Sequence, residues 1–151
     1  MKKIVLFLIL LISVPSISQK KMTKEIINEY GTKVFNAPKA EVFQTLKSVL
    51  ESNDYQIDFE NIEKGKIVTK KKVLGASAMR TDIGTAQITR NYRLYLVVVE
   101  SIDTNKTKVV LTPKVFIGEG DVSDEKVWII KGNTGEIKLW ENIFNSIQER
   151  L

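Results

Sequence analysis

Gly135-Glu136-Ile137-Lys138-Leu139-Trp140-Glu141-Asn142-Ile143-Phe144-Asn145-Ser146-Ile147-Gln148-Glu149-Arg150-Leu151 is the stretch whose reading decides the fold. Ile137, Trp140, Ile143, Phe144, Ile147 and Leu151 recur at steps of three and four, so a helix places them on one stripe. Lys138, Glu141, Asn142, Asn145, Gln148 and Glu149 fall mostly on the opposite side. Asn133 and Glu136 have the spacing of a capping box, in which each side chain satisfies a free backbone N–H of the first turn. A stripe this wide needs an apolar surface to lie on. The strand-like segments ahead of it supply that surface, so the expectation is a twisted antiparallel sheet with this helix packed across one face.

Working back from the helix, Val127 to Lys131 reads as a short strand and Gly118 to Lys126 as an acidic loop. Thr107 to Ile117 reads as a strand in which Pro113 marks an edge or a bulge. Asp103-Thr104-Asn105-Lys106 is a hairpin turn. Tyr92 to Glu100, dense in branched and aromatic residues, is the clearest strand in the chain. Gly75 to Thr89 reads as a loop, with two glycines and three alanines, and as a candidate flap over a groove. Lys66 to Leu74 is a strand, Asn61 to Gly65 a turn, and Tyr55 to Glu60 a strand in which Tyr55, Ile57 and Phe59 alternate with polar residues. Ala37-Pro38 opens a first helix with Val42, Phe43, Leu46, Val49 and Leu50 on its apolar face. Asn53 is its left-handed cap. Thr32 to Asn36 is a first strand, and residues 19–31 read as a flexible lead-in with a short helical turn. The expected fold is α+β: two layers, an antiparallel sheet of about five strands with two helices on one face, in the order β-α-β-β-β-β-α.

At the other end, Lys2 and Lys3 precede the unbroken apolar run Ile4 to Ile12, and Ser16-Ile17-Ser18 offers the small residues a signal peptidase reads. The run is well short of the roughly 20 apolar residues of a membrane span. Residues 1–18 are therefore expected to be a cleaved signal peptide, with cleavage after Ser18, and residues 32–151 a single exported domain, periplasmic or secreted, with no stable membrane span. Counting 23 Lys and Arg against 18 Asp and Glu, the chain carries +5; without Lys2 and Lys3 it carries +3. That mild excess gives no reason to expect nucleic acid as a partner. The chain has neither cysteine nor histidine. Disulfides, thiolate nucleophiles, and the usual zinc, serine–histidine and cysteine–histidine sites are excluded with them.

Val34-Phe35-Asn36-Ala37-Pro38-Lys39-Ala40-Glu41-Val42-Phe43 resembles the opening of helix-grip domains. Asn53-Asp54-Tyr55-Gln56-Ile57-Asp58-Phe59, followed by Glu63-Lys64-Gly65-Lys66-Ile67-Val68-Thr69, is similar to the domains of the lipoprotein C subunit of the bacterial β-barrel assembly machine and of small exported bacterial proteins of unknown function. The resemblance covers roughly residues 32–151 and carries fold motifs, not catalytic ones. The lipoprotein cysteine of that subunit is absent here. Ala37-Pro38 to Phe43 and the long final helix also resemble the START and pathogenesis-related lipid-binding family, in which such a helix closes over a sheet.

No residue reads as catalytic, no metal site is expected and no cofactor is implied. Glu119, Asp121, Asp124 and Glu125 miss the spacing of a calcium loop and have no partner that would fix them as a hydrolase pair. Lys64, Lys66, Lys70, Lys71 and Lys72 read as an edge protected against sheet-to-sheet association, or as a patch for an anionic ligand. Asn105-Lys106-Thr107 matches a glycosylation sequon. Phe116, Trp128, Trp140, Arg80 and Arg90 are the candidate ligand-binding residues. The expected function is a non-enzymatic envelope module that binds a partner. One alternative is a small carrier that grips an apolar or amphipathic ligand between the last helix and the sheet. The other is a carboxylate-based hydrolase.

Overall fold

A computed structural model describes residues 19–80 and 86–151, and at 77–80, 86 and 87 it describes the backbone alone. The expected signal peptide, residues 1–18, lies outside the described residues. The elements are β1 (Gln19–Lys20), α1 (Lys24–Tyr30), β2 (Thr32–Phe35), α2 (Lys39–Ser52), β3 (Ile57–Asn61), β4 (Lys66–Thr69), β5 (Lys72–Arg80), β6 (Ala86–Asp103), β7 (Lys106–Ile117), β8 (Gly120–Asp121), β9 (Trp128–Ile129) and α3 (Glu136–Gln148). The main sheet is antiparallel in the order β2-β7-β6-β4-β3. β5 pairs with β6 further along the edge that β4 occupies, and β8 pairs with β7.

The α+β class and the two-layer arrangement are as expected. Helices α2 and α3 cover one face of the sheet. Their apolar faces, Val42, Phe43, Leu46, Val49 and Leu50 from α2 and Trp140, Ile143, Phe144 and Ile147 from α3, close on Phe35, Ile67, Tyr95, Val97, Val99, Val109 and Leu111 from the strands. Sheet side chains alternate between faces, so these strand residues fall at every second position of β6 and β7. Pro113 stands between the stretches of β7 paired with β2 and β8, where β7 is locally an edge and the missing N–H is not needed. The turn at Asp103 is also as expected, with Asn105 N–H donating to Asp103 Oδ1 at 2.8 Å.

Four expectations are corrected. The lead-in carries strand β1, paired with β9, and helix α1, whose Ile26, Ile27 and Tyr30 pack on the core. Only scattered apolar positions announce so short a helix, and tertiary packing fixes it. The left-handed residue after α2 is Asp54, φ 61°, not Asn53, whose φ is −98°. Lys66 to Leu74 is two strands, β4 and the start of β5, separated at Lys70-Lys71. Finally, residues 75–80 and 86–89 are not loop: they belong to β5 and β6, which pair from Lys72↔Arg93 to Arg80↔Ala86. Glycine and alanine dilute the strand signal there, and the ladder does not depend on it. The remaining part of the flap, 81–85, lies outside the described residues.

Candidate functional site

β5, the first half of β6 and the end of β7 form an arm that runs past the two large helices. On the helix-facing side of β6, the sequence changes from Tyr95, Val97 and Val99, all buried, to Arg93, Asn91 and Thr89. The change falls where the cover of α2 and α3 gives out. There the segment 122–130 takes over, and Trp128 and Ile130 pack on Val115 of β7. The indole N–H of Trp128 donates to the Ser123 carbonyl at 3.2 Å, and the Val115 N–H donates to Ser123 Oγ at 2.9 Å. Ser123 thus stands in for a strand neighbour of β7.

Beyond this cover lies an open cleft of about 390 Å³, lined by Leu74, Gly75 and Ala76 on β5, Arg93 on β6, Val115 on β7, and Lys126 to Ile129 opposite. Its rim is apolar and accessible: Leu74 is 45% exposed, Val127 50% and Ile129 40%. The charged groups in the lining are Lys126 and Arg93, and no carboxylate lines it.

Arg93, in the lining of the cleft, belongs to a polar cluster buried beneath it. Glu136, the first residue of α3, is buried; Oε2 lies 3.0 Å from Arg93 Nη2, and Oε1 accepts from the Tyr95 hydroxyl at 2.6 Å. Tyr55 packs edge-on against Tyr95 with ring centroids 5.1 Å apart. The Arg93 guanidinium also lies 6.0 Å from the Trp128 ring centroid. Burial raises the Glu136 carboxyl above its ordinary value, against the opposing effects of Arg93 and of the Tyr95 hydroxyl. Burial also raises the Tyr95 phenol, and the Glu136 charge adds to the rise. The Arg93 cation is kept by Glu136 despite its own desolvation. The expected capping box is therefore corrected. Gly135 is the N-cap, with no side-chain cap bond, and Glu136 turns inward to Arg93 and Tyr95. Sequence reasoning missed Arg93, Tyr95 and Glu136 as a unit, because a glutamate at a helix start has a local explanation that competes with the long-range one.

The expected ligand-binding residues do not form one site. Trp128 lines the cleft. Trp140 is 0% exposed in the core beneath α3, its indole N–H without a hydrogen-bond partner among the described residues, and it reaches no surface. Phe116 pairs across the sheet with Tyr92 and points to the face away from the helices, under the Lys71 ammonium at 4.1 Å. Arg90 is exposed and opposite Ala76 on that same outer face. Arg80 ends β5, and its side chain lies outside the described residues. Period-two alternation separates Phe116 and Arg90 from Trp128. The space between α3 and the sheet, where a gripped ligand was expected, is filled by Trp140, Ile143, Phe144 and Ile147.

The acidic loop is used locally. Asp121 accepts from both the N–H and the hydroxyl of Ser123 and pairs with Lys114 at 3.3 Å, contacts that lower its carboxyl, the Ser123 hydroxyl most of all. Lys21 donates to the Asp124 carbonyl at 2.8 Å. Among the described residues no group of three or more acidic side chains converges on a possible metal position. In the sequon, Thr107 is buried and donates to the Ala37 carbonyl at 2.8 Å. No described helix is long and apolar enough to cross a membrane.

No protein-family model and no curated protein matches the sequence. Among solved structures, the chain is similar to a DUF4468 family protein from Bacteroides ovatus, at TM-score 0.43 and 15% identity, over 79% of this chain and 83% of that one. It is also similar to a conserved protein from Geobacillus kaustophilus, at TM-score 0.38 and 19% identity, over 78% of this chain and 90% of that one. The expected likeness to the lipoprotein C subunit finds no support in these comparisons.

Proposed function

We propose that this chain is an exported, non-enzymatic accessory module of the cell envelope, and that it binds a polypeptide partner at the cleft between the arm and the β9 segment. The observation that carries this reading is the rim of the cleft. Leu74, Val127 and Ile129 stand exposed around one buried tryptophan, and the charged residues of the lining are Arg93 and Lys126. Large apolar side chains gathered at a concave surface mark binding sites more often than isolated ones do. Export rests on the pattern of residues 1–18. The filled α3–sheet interface favours a surface site over a ligand enclosed beneath the helix.

The test is a photo-reactive side chain at Val127, with a second at Ile62, on the turn that follows β3, as the control. A discrete polypeptide cross-linked in intact cells from Val127 and not from Ile62 is the expected result. No adduct from either position, with a reproducible extra small-molecule mass in native mass spectrometry of the purified chain, would replace this reading with the carrier.

A further inference from the structure

The face of the main sheet away from the core carries no helix among the described residues. All three helices pack on the core side, through Ile26 and Ile27 of α1 and the apolar faces of α2 and α3. The opposite face is nonetheless apolar. In β6, Leu94, Leu96 and Val98 alternate with the buried Tyr95, Val97 and Val99, so Leu94 to Val99 is one unbroken apolar run. An antiparallel strand with one solvated face reads as apolar–polar alternation, and a continuous run reads as a strand buried on both faces. The register sets Val110 of β7 opposite Val98, and Val68 of β4 opposite Leu96. On β3 the irregularity between Ile57 and Phe59 pairs Phe59 with Val68, on the outer side, where it is 49% exposed. Strict alternation would set Phe59 beside Ile57 on the core side, and a bulge of this kind re-aims a side chain.

What covers this face follows from its charges and its size. Its ion pairs are internal: Lys108 pairs with Glu100, and Lys114 with Asp121. A face that neutralises its own charges around an apolar centre selects neither an acidic nor a basic partner, and it meets a copy of itself without repulsion. Lys66 opens β4 beside Val98 and has no ion pair among the described residues. A two-fold axis near Leu96 keeps the two copies of Lys66 about 10 Å or more apart, where exposed charges are largely screened. At about 4.8 Å between strands and about 3.3 Å per residue, the face covers about 600 Å² in one copy. Two copies then bury about 1,200 Å², where specific interfaces begin. Twisted sheets pack face to face about 10 Å apart with their strands about 30° from parallel, and no described helix stands in the way.

We infer that the outer face of the main sheet is the contact of a two-fold dimer of this chain, with Leu96 near the axis and Phe59, Val68, Leu94, Val98 and Val110 around it. The cleft lies on the other side of the sheet, with Arg93 and Val115, so both of its copies stay free in the dimer. A partner that carries the recognised segment twice would bind the dimer with an avidity that one copy lacks. The dimer itself does not depend on what the cleft binds.

Sedimentation equilibrium of the purified chain tests this. A dimer with a dissociation constant of about 1 μM is the expected result, as suits an interface at the small end of the specific range. Leu96→Lys and Val110→Lys each place a charge in the contact twice over. Each should weaken dimerisation about a hundredfold or more while the far-UV circular dichroism stays that of the parent. The chain has no cysteine, so Leu96→Cys carries a single thiol and reports even if both lysine variants misfold. A short bis-maleimide should link two copies through Leu96→Cys and not through Lys138→Cys, on the exposed side of α3. A chain that stays monomeric at about 100 μM overturns the dimer. If that monomer floats with phosphatidylethanolamine–phosphatidylglycerol vesicles and Leu96→Lys does not, the face belongs to a membrane surface instead. A dimer that survives both lysine variants, or a link through Lys138→Cys as strong as through Leu96→Cys, places the contact elsewhere and overturns the inference as well.

Discussion

The two ends of β6 obey the same alternation and meet opposite fates. At one end Tyr95, Val97 and Val99 face two helices and are buried; at the other Arg93 and Asn91 face a cleft, and Ile88, on the outer side, is 73% exposed. Burial of a strand residue depends on what lies across from it as much as on the residue. The arm therefore gains little from apolar packing and is held by its ladder, while the covered half is held by side chains. Arg93 and Glu136 join the two, because Glu136 opens the helix that covers one half and Arg93 begins the floor of the other.

The strongest way to test that division is to hollow out the covered half. Trp140→Ala removes a fully buried indole that packs beside Phe144 and Ile147, and should cost about 4 kcal/mol in urea unfolding. Ile88→Ala, at the exposed end of the same sheet, should change stability by less than about 0.5 kcal/mol. Comparable losses at the two positions would mean that the arm is as well packed as the core.

The junction comes next. Arg93→Met leaves the Glu136 carboxylate buried without its cation, and Glu136→Gln leaves Arg93 buried without its anion. Arg93→Met should cost about 3 kcal/mol near neutral pH and Glu136→Gln less, because glutamine replaces a carboxyl whose burial favours its neutral form, and the double variant should cost clearly less than the two together. Additive losses would show that the pair does not couple the halves.

A smaller effect is its pH dependence. Burial holds the Glu136 carboxyl above its ordinary 4.5. A carboxyl with a raised pKa binds its proton more tightly in the folded chain than in the unfolded one. Its contribution to stability is therefore complete below pH 4.5 and declines as pH rises through the raised value. Glutamine does not titrate, so the penalty of Glu136→Gln should be largest in acid and shrink toward neutrality. Paired urea titrations across that interval check the sign, since the titration of the other carboxylates cancels in the difference.

The covered half was legible in the sequence because helix and strand periodicities there agree with what lies opposite. Val42, Phe43, Leu46, Ile143 and Ile147 all read as core and are core. The arm was not legible. Gly75 and Ala76 to Ala78 lack the branched residues that mark a strand, and their pairing with β6 is a long-range fact with no local trace. Trp128 lines the cleft, but nothing local in the sequence separates it from Phe116 and Arg90, which the register turns to the other face. Glu136 was misread for the same kind of reason: its true partners, Arg93 and Tyr95, lie over 40 residues earlier, as the 41-residue separation of Tyr95 and Glu136 records.

The smallest expected effect on stability is the sharpest test of function. Leu74 sits where the β5–β6 register shifts between Val73 and Gly75, so its side chain is not fixed by a cross-strand neighbour and lies on the rim of the cleft. A bulge in an edge strand has two readings: it twists the edge away from unwanted pairing, or it re-aims a side chain toward a binding surface. Leu74→Asn separates them. Because Leu74 is nearly half exposed and outside the core, the substitution should shift unfolding by no more than about 0.5 kcal/mol. If the bulge serves binding, the same substitution should lower the cross-linking yield from Val127, since a polar group has replaced the apolar wall opposite that residue. If the bulge serves only to protect the edge, the yield stays as it was.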